Sequence, residues 1–138
     1  MTNTDTRAIF LGRDERAVRR WAFVAGGLLV GSLLFFSAVK IFDYPAVHLL
    51  LWWEGYALLL TGLIAVQSYS NGGIAMSWLL AFGAIVGVIL NYGGIGLTGG
   101  GPSVPELVGF ALIGGLFGAA IFGTVGFGLG VAIRRVVA

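Results

Sequence analysis

The chain has 138 residues, of which 58% are hydrophobic and 10% are charged, whereas soluble domains average about 25% charged residues. A soluble fold of this length has too little interior to bury so much apolar surface, so the composition favours an integral membrane protein. The sequence contains no cysteine and one histidine, which excludes disulfides and thiolate metal sites and leaves a zinc site without enough ligands. The formal net charge of +2 comes from arginines that flank apolar segments, a pattern typical of membrane proteins rather than of nucleic-acid-binding surfaces.

Residues 1–20 form a basic arm ahead of an apolar membrane domain at 21–138. Five of the seven arginines fall in this arm, and Thr6–Arg20 is compatible with a short helix. The arm is interpreted either as a juxtamembrane segment held at anionic lipid headgroups or as a docking arm for a cytosolic partner. The first interpretation is favoured, because basic flanks are ordinary in membrane proteins.

Four apolar segments predict four membrane-spanning helices, at about 21–41, 47–67, 74–91 and 104–133. A helix of about 21 residues reaches about 31 Å, which is enough for the hydrocarbon core of a bilayer. The segment 47–67 is expected to be the one around which the others pack. The short connection at 42–46, which contains Pro45, predicts that the first two spans are antiparallel neighbours.

Two further boundaries carry recognisable signals. The sequence SYSNGG at 68–73 predicts a turn, because Asn71 and the two glycines that follow it interrupt helices. Ser103 and Glu106 match a capping box that begins the fourth span. That span is longer than a bilayer requires, so a tilt or a glycine-induced bend is expected.

The predicted fold class is an all-α integral membrane protein, a bundle of four transmembrane helices with short loops. Arginines are concentrated on the cytoplasmic side of membrane proteins, which places the basic arm and Arg134 and Arg135 there. An even number of spans puts both termini on the same side of the membrane. The sequence therefore predicts a multi-pass cell-membrane protein with cytoplasmic N- and C-termini.

Glycine accounts for 24 residues, and many glycines are spaced four residues apart. Because lipid provides no hydrophobic drive for helices to associate, small residues that permit close backbone contact mark packing surfaces. The predicted helix-packing pairs are Gly27 and Gly31, Gly83 and Gly87, Gly114 and Gly118, and Gly126 and Gly130. The fourth span carries a second, adjacent stripe of Gly115, Ala119 and Gly123. If one stripe faces the other spans, the second could face another copy of the chain; intramolecular packing explains the glycines about as well.

The sharpest candidate for chemistry is Glu54, which lies about 10 Å below the outer end of the span 47–67. An ionised, unpaired carboxylate at that depth costs several kcal/mol, so Glu54 should be protonated or partnered. Thr61 and Ser68 share its helix face, which is expected to point into the bundle. Asn91 and Lys40 are the candidate polar neighbours from the third and first spans. Two interpretations stay open: Glu54 exchanges a proton or binds a cationic or polar ligand, or it ties helices together by hydrogen bonding.

No catalytic constellation accompanies Glu54. The G-x-G-x-x-G match at 94–99 follows an apolar helix rather than a strand, so it does not indicate a dinucleotide site. The sequence shows no nucleophile–base pair, and it predicts a non-enzymatic protein without catalytic residues, a metal or another cofactor. Four short spans with one intramembrane glutamate resemble the small multidrug resistance transporters in architecture. In that family the essential acid lies in the first span, whereas the segment 21–41 has none, so the family is not assigned.

The leading functional hypothesis is a structural or accessory membrane subunit. Its expected partners are the lipid bilayer and another copy of the chain or a membrane complex, and no nucleic acid. The alternative is a small oligomeric proton-coupled transporter centred on Glu54.

Overall fold

The computed structural model describes residues 3–42, 53–92 and 103–138. All regular secondary structure in these ranges is helical, which confirms the all-α prediction for them. The elements are α1 (Asn3–Leu11), α2 (Glu15–Phe42), α3 (Trp53–Ser70), α4 (Ile74–Tyr92), α5 (Val104–Gly118), a π-helical segment (Ala119–Gly123) and α6 (Thr124–Val137). Most of the expected turn at 42–46 and most of the glycine-dense stretch at 92–101 lie outside the described residues.

The predicted segments correspond closely to these helices. The first span lies within α2, the third matches α4 to one residue, and the fourth lies within the continuous α5–α6 rod. The arm forms α1 and then breaks at residues 12–14, and it is not a single helix from Thr6 to Arg20. Asp14 begins α2, because its Oδ1 accepts a hydrogen bond from the Arg16 N–H at 3.0 Å, as an N-cap aspartate does. Glu106 closes its half of the capping box by accepting from the Ser103 N–H at 3.3 Å.

Two helical stretches, Asp5–Phe35 and Val104–Val137, are long and apolar enough to cross a membrane by length and composition. A shorter apolar helix covers Ile74–Leu90. Large apolar side chains on several helices stay exposed; Phe23 is 76% exposed and Leu58 is 75% exposed. Both features point to association with a membrane, since soluble proteins rarely leave so much contiguous apolar surface uncovered.

The helix at the centre of the bundle is α4. It packs against α2 on one side and against α5 and the π-helical segment on another, while α3 packs mainly against α6. Leu80, Ala81 and Ala84 of α4 are fully buried. The expectation that the segment 47–67 lies at the centre is therefore wrong. The small residues of α4 let two neighbours approach its backbone, which gives it the larger packing surface.

Glycines set the closeness of these contacts. A Cβ added at Gly83 would lie 2.7 Å from the carbonyl oxygen of Ala25, and one at Gly87 would lie 2.5 Å from that of Leu29. The two glycines therefore hold α4 directly against the backbone of α2.

The fourth span changes its packing partner along its length. A Cβ at Gly118 would lie 2.6 Å from Ile85 of α4, whereas one at Gly126 would lie 2.6 Å from Ile64 of α3. The change occurs across the π-helical segment, where the extra residue per turn rotates the following helix face. A π-helical segment therefore interrupts the α-helical geometry within the predicted fourth span.

Both glycine stripes of this span are used within the chain. Added Cβ atoms at Gly115 and Gly123 would collide with Phe82 and Trp78 of α4, and Gly130 packs on Ser68 of α3. Neither stripe is left over to face a second copy, so the homo-oligomer hypothesis loses the observation that motivated it.

Candidate functional site at the arginine-rich end

One end of the bundle collects all seven arginines of the chain. The starts of α2 and α4 and the ends of α3 and α6 meet there, together with α1. The arginines are Arg7, Arg13, Arg16, Arg19, Arg20, Arg134 and Arg135. Only three acids, Asp5, Asp14 and Glu15, lie in the same part of the described chain, and Arg7 and Glu15 form an ion pair. This arginine-rich end therefore carries a strong positive excess.

The N-terminal arm docks on the turn between α3 and α4. The side-chain Oδ1 of Asn71 accepts hydrogen bonds from the N–H groups of Arg13 and Asp14, both at 3.0 Å. The Arg13 N–H also reaches the main-chain oxygen of Asn71 at 3.1 Å. Gly12 adopts a φ of 104°, and a Cβ there would lie 2.8 Å from Cγ of Asn71. The arm thus packs on its own chain at this point, an arrangement that neither sequence-based interpretation included.

A buried polar cluster lies beneath the docked arm. Gln67, Ser68 and Ser77 are fully buried, and Asn71 is 3% exposed. The Ser77 hydroxyl donates to Oε1 of Gln67 at 2.8 Å, which joins α4 to α3. The Ser68 hydroxyl donates to the main-chain oxygen of Phe127 at 3.0 Å, which joins α3 to α6. Hydrogen bonds in such a low-dielectric setting hold the helices in one fixed arrangement.

Arg134 closes the cluster from the last turn of α6. Its guanidinium is partly buried and donates from Nη2 to the main-chain oxygen of Ser68. The guanidinium lies over Gly72, where an added Cβ would be 3.3 Å from Nη2. Within the described part of the chain no carboxylate pairs with Arg134.

The cluster has more hydrogen-bond donors than acceptors. Three buried nitrogens have no hydrogen-bond partner among the described residues: Nε2 of Gln67, Nδ2 of Asn71 and Nε of Arg134. All three are donors, and a guanidinium has no acceptor at all. The arrangement can therefore donate hydrogen bonds and supply positive charge, and it holds no general base or nucleophile in a reactive geometry.

The residues singled out from the sequence lie mainly elsewhere. Glu54 is in the first turn of α3 with its side chain exposed. Thr61 is partly buried and donates to the main-chain oxygen of Ala57 in its own helix at 2.7 Å. The expectation that this face points into the bundle holds for Ser68 but not for Glu54. Lys40 and Asn91 belong to the far ends of α2 and α4, and their side chains are outside the described set.

An apolar groove separates α2 from α3. It has a volume of about 490 Å³ and is lined by residues of both helices, including Gly27, Gly31 and Leu60. A hydrogen bond of 2.7 Å between the hydroxyls of Ser32 and Tyr56 bridges the two helices. The first two spans are thus neighbours, as the short connection predicts, but they do not pack closely along their length. Among the described residues, nothing would lie within 4 Å of a Cβ at Gly27 or Gly31.

Sequence reasoning missed the polar cluster. It treated Asn71 as a turn breaker and Arg134 as a marker of the cytoplasmic side, and it gave Gln67 no role. A signal was present, because Gln67 and Ser77 are polar residues inside apolar segments on either side of one turn. The contribution of Arg134 had no local signal, since its contact with Ser68 spans 66 positions.

Comparisons of the chain with protein-family models, with curated proteins and with solved structures found no match.

Proposed function

We propose that this chain is a small multi-pass integral membrane protein with a structural or accessory, non-enzymatic role, whose α2–α3 groove receives an apolar helix of a partner membrane protein. In this proposal α2, α3, α4 and the continuous α5–α6 rod each span the cell membrane, and both termini are cytoplasmic. Support comes from the two apolar stretches of spanning length and from the gathering of the arginines at one end, where the positive-inside rule places them in the cytoplasm.

The observation that carries the proposal is the open glycine pair in the groove. In the other three pairs at four-residue spacing, an added Cβ would collide with a neighbouring helix. Gly27 and Gly31 have the same spacing, but none of the described residues lies within 4 Å of an added Cβ at either position. Glycine in a helix costs about 1 kcal/mol relative to alanine, and close approach of another helix is the usual compensating gain in membranes. A partner helix supplies that approach.

The dimensions and chemistry of the groove fit such a partner. Its α2 wall runs from Val24 to Phe35, which corresponds to about 16 Å or three helical turns. The lining is apolar except for the hydroxyls of Ser32 and Tyr56, and these bond to each other. The groove therefore offers packing surface rather than a site for a polar substrate. The exposed position of Glu54 provides no support for the proton-coupled alternative.

Photo-crosslinking in native membranes tests the proposal. A crosslinking amino acid is placed at Leu59, which lines the groove, and in a control at Phe117, which is exposed on α5. The expected result is one discrete protein adduct from position 59 that is absent from position 117. Gly27→Leu should fill the groove and abolish the adduct, whereas Gly128→Leu, at a glycine where an added Cβ also meets none of the described residues within 4 Å, should preserve it. Adducts with lipid alone would refute the proposal that the groove binds a helix. An adduct between two copies of the chain would show that the groove serves self-assembly and not an accessory role.

A further inference from the structure

We infer that the arginine-rich end contains a binding site for a phosphate-type anion, centred on the guanidinium of Arg134 and completed by the amide nitrogen of the neighbouring Asn71. The inference rests on the buried polar cluster and is independent of the α2–α3 groove.

The first argument is the unbalanced hydrogen bonding of Arg134. A guanidinium presents five N–H donors in a planar fork suited to two oxygens of one anion. One nitrogen of Arg134 donates to the carbonyl oxygen of Ser68, and the buried Nε has no partner among the described residues. A partly buried cation without a counter-charge is unfavourable, and an anion relieves that cost.

The second argument is the orientation of the two amides. Oε1 of Gln67 accepts from Ser77, and Oδ1 of Asn71 accepts from the main chain of Arg13 and Asp14. The two main-chain donors fix the oxygen side of the Asn71 amide, so its nitrogen side, which is buried and unpartnered in the described structure, is left free. The amide of Gln67 is not fixed in this way, because the Ser77 hydroxyl also donates to the main-chain oxygen of Gly73 at 3.2 Å. A ligand that complements the cluster must therefore bring acceptors, which excludes a metal ion or an organic cation.

The third argument is the surrounding charge. Arg135, the next residue after Arg134, and Arg13, whose main chain bonds to Asn71 in the same cluster, are both exposed, so the field outside the cluster attracts anions. A phosphate group carries several acceptor oxygens and forms short, charge-assisted bonds with arginine. Basic pockets between membrane helices on the cytoplasmic side are the usual sites for phosphate-bearing lipid headgroups. A lipid headgroup and a free phosphate share this chemistry.

The test measures lipid binding to the detergent-solubilised full chain by native mass spectrometry. Phosphatidylglycerol is the anionic probe and phosphatidylcholine the zwitterionic reference. Arg134→Gln is compared with Arg135→Gln, which removes an equal charge from the next, exposed residue. Loss of one charge-assisted contact weakens the affinity by about tenfold or more. Arg134→Gln should therefore weaken phosphatidylglycerol binding by that factor. Arg135→Gln should bind this lipid nearly as the wild type does. Equal weakening by both variants would show that the lipid is attracted diffusely to the arginine-rich end, and it would refute a specific binding site at Arg134.

A second variant covers the case in which Arg134→Gln does not fold. Asn71→Asp keeps the oxygen that accepts from Arg13 and Asp14 but replaces the free nitrogen by a second anionic oxygen. It should remain folded and bind phosphatidylglycerol more weakly than the wild type; unchanged binding would contradict the inference. Inorganic phosphate added as a competitor then separates the two sources, because it displaces the lipid only if the site accepts a free phosphate.

Discussion

Replacing Asn71 by leucine should release the N-terminal arm from the α3–α4 turn without unfolding the bundle. The variant removes the Oδ1 atom that accepts from Arg13 and Asp14. The Arg13 N–H retains the main-chain oxygen of residue 71 at 3.1 Å. The Asp14 N–H has Oδ1 of Asn71 as its partner and loses it. The effect should therefore be larger at Asp14 than at Arg13.

The expected magnitude follows from these two bonds. One hydrogen bond contributes about 1 kcal/mol net, and a donor left without a partner adds to the cost unless water reaches it. Because Arg13 and Asp14 are exposed, water can replace part of the loss, so we expect a destabilisation of docking by about 1–2 kcal/mol. That corresponds to a rise of about 5- to 30-fold in the population of the undocked arm.

Amide hydrogen exchange read by NMR on the ¹⁵N-labelled protein measures this population at single residues, since exchange reports local opening. The exchange rate of the Asp14 amide should rise by the stated factor, while buried amides of α4 such as Leu80 should not change. Asn71→Asp is the matched control, because it keeps the acceptor oxygen and should therefore raise Asp14 exchange less than the leucine variant does. Unchanged Asp14 exchange in the leucine variant, or equal release by both variants, would refute the docking role of this side chain.

Three further predictions use thermal or chemical stability in detergent. Gly130→Leu should cost about 1–3 kcal/mol because its side chain would overpack against α3. Gly128→Leu, where an added Cβ meets none of the described residues within 4 Å, should stay within about 0.5 kcal/mol. Equal losses would show that helix packing is not the cause. Ser77→Ala should cost about 1–2 kcal/mol, because it leaves a buried amide oxygen on α3 without its donor. Ser70→Ala, which removes a hydrogen bond local to α3, should cost less. The reverse order would contradict the stabilising role of the buried polar cluster. Glu54→Leu and Glu54→Gln should both leave the stability unchanged or raise it, because the side chain is exposed. A loss of stability above about 1 kcal/mol in the leucine variant alone would instead indicate that Glu54 forms a hydrogen bond between helices.

The boundaries of the helices were the most predictable part of this protein. Asn71, Gly72 and Gly73 end one apolar segment and begin another, and the structure turns there, with Gly72 at a φ of 74°. Ser103 and Glu106 start α5, because a polar cap and an early proline satisfy or avoid the free N–H groups of a first turn. These signals are local, so they need no knowledge of the packing.

The direction of each helix face was not predictable in the same way. In a membrane bundle both the interior and the lipid-facing surface are apolar, so hydrophobic periodicity does not distinguish them. The spacing places Glu54, Thr61 and Ser68 on related sides of α3, and yet Ser68 is buried and Glu54 is exposed. Four-residue glycine spacing has the same weakness, because it describes Gly83 and Gly27 equally well. Among the described residues, Gly83 meets a neighbouring helix and Gly27 does not.

The sequence alone determined the helical class, the turn at 71–73, the start of α5 after Ser103 and the position of the arginines beside helix ends. Composition and local turn chemistry are sufficient for those features, because each depends on a few consecutive residues. The tertiary structure decided that α4 is central, that the arm closes over Asn71, and that Arg134 meets Ser68 from the other end of the chain. Those outcomes depend on which backbones approach each other closely. Close contact in an apolar bundle is selected by the fit of whole surfaces and not by any single residue pattern.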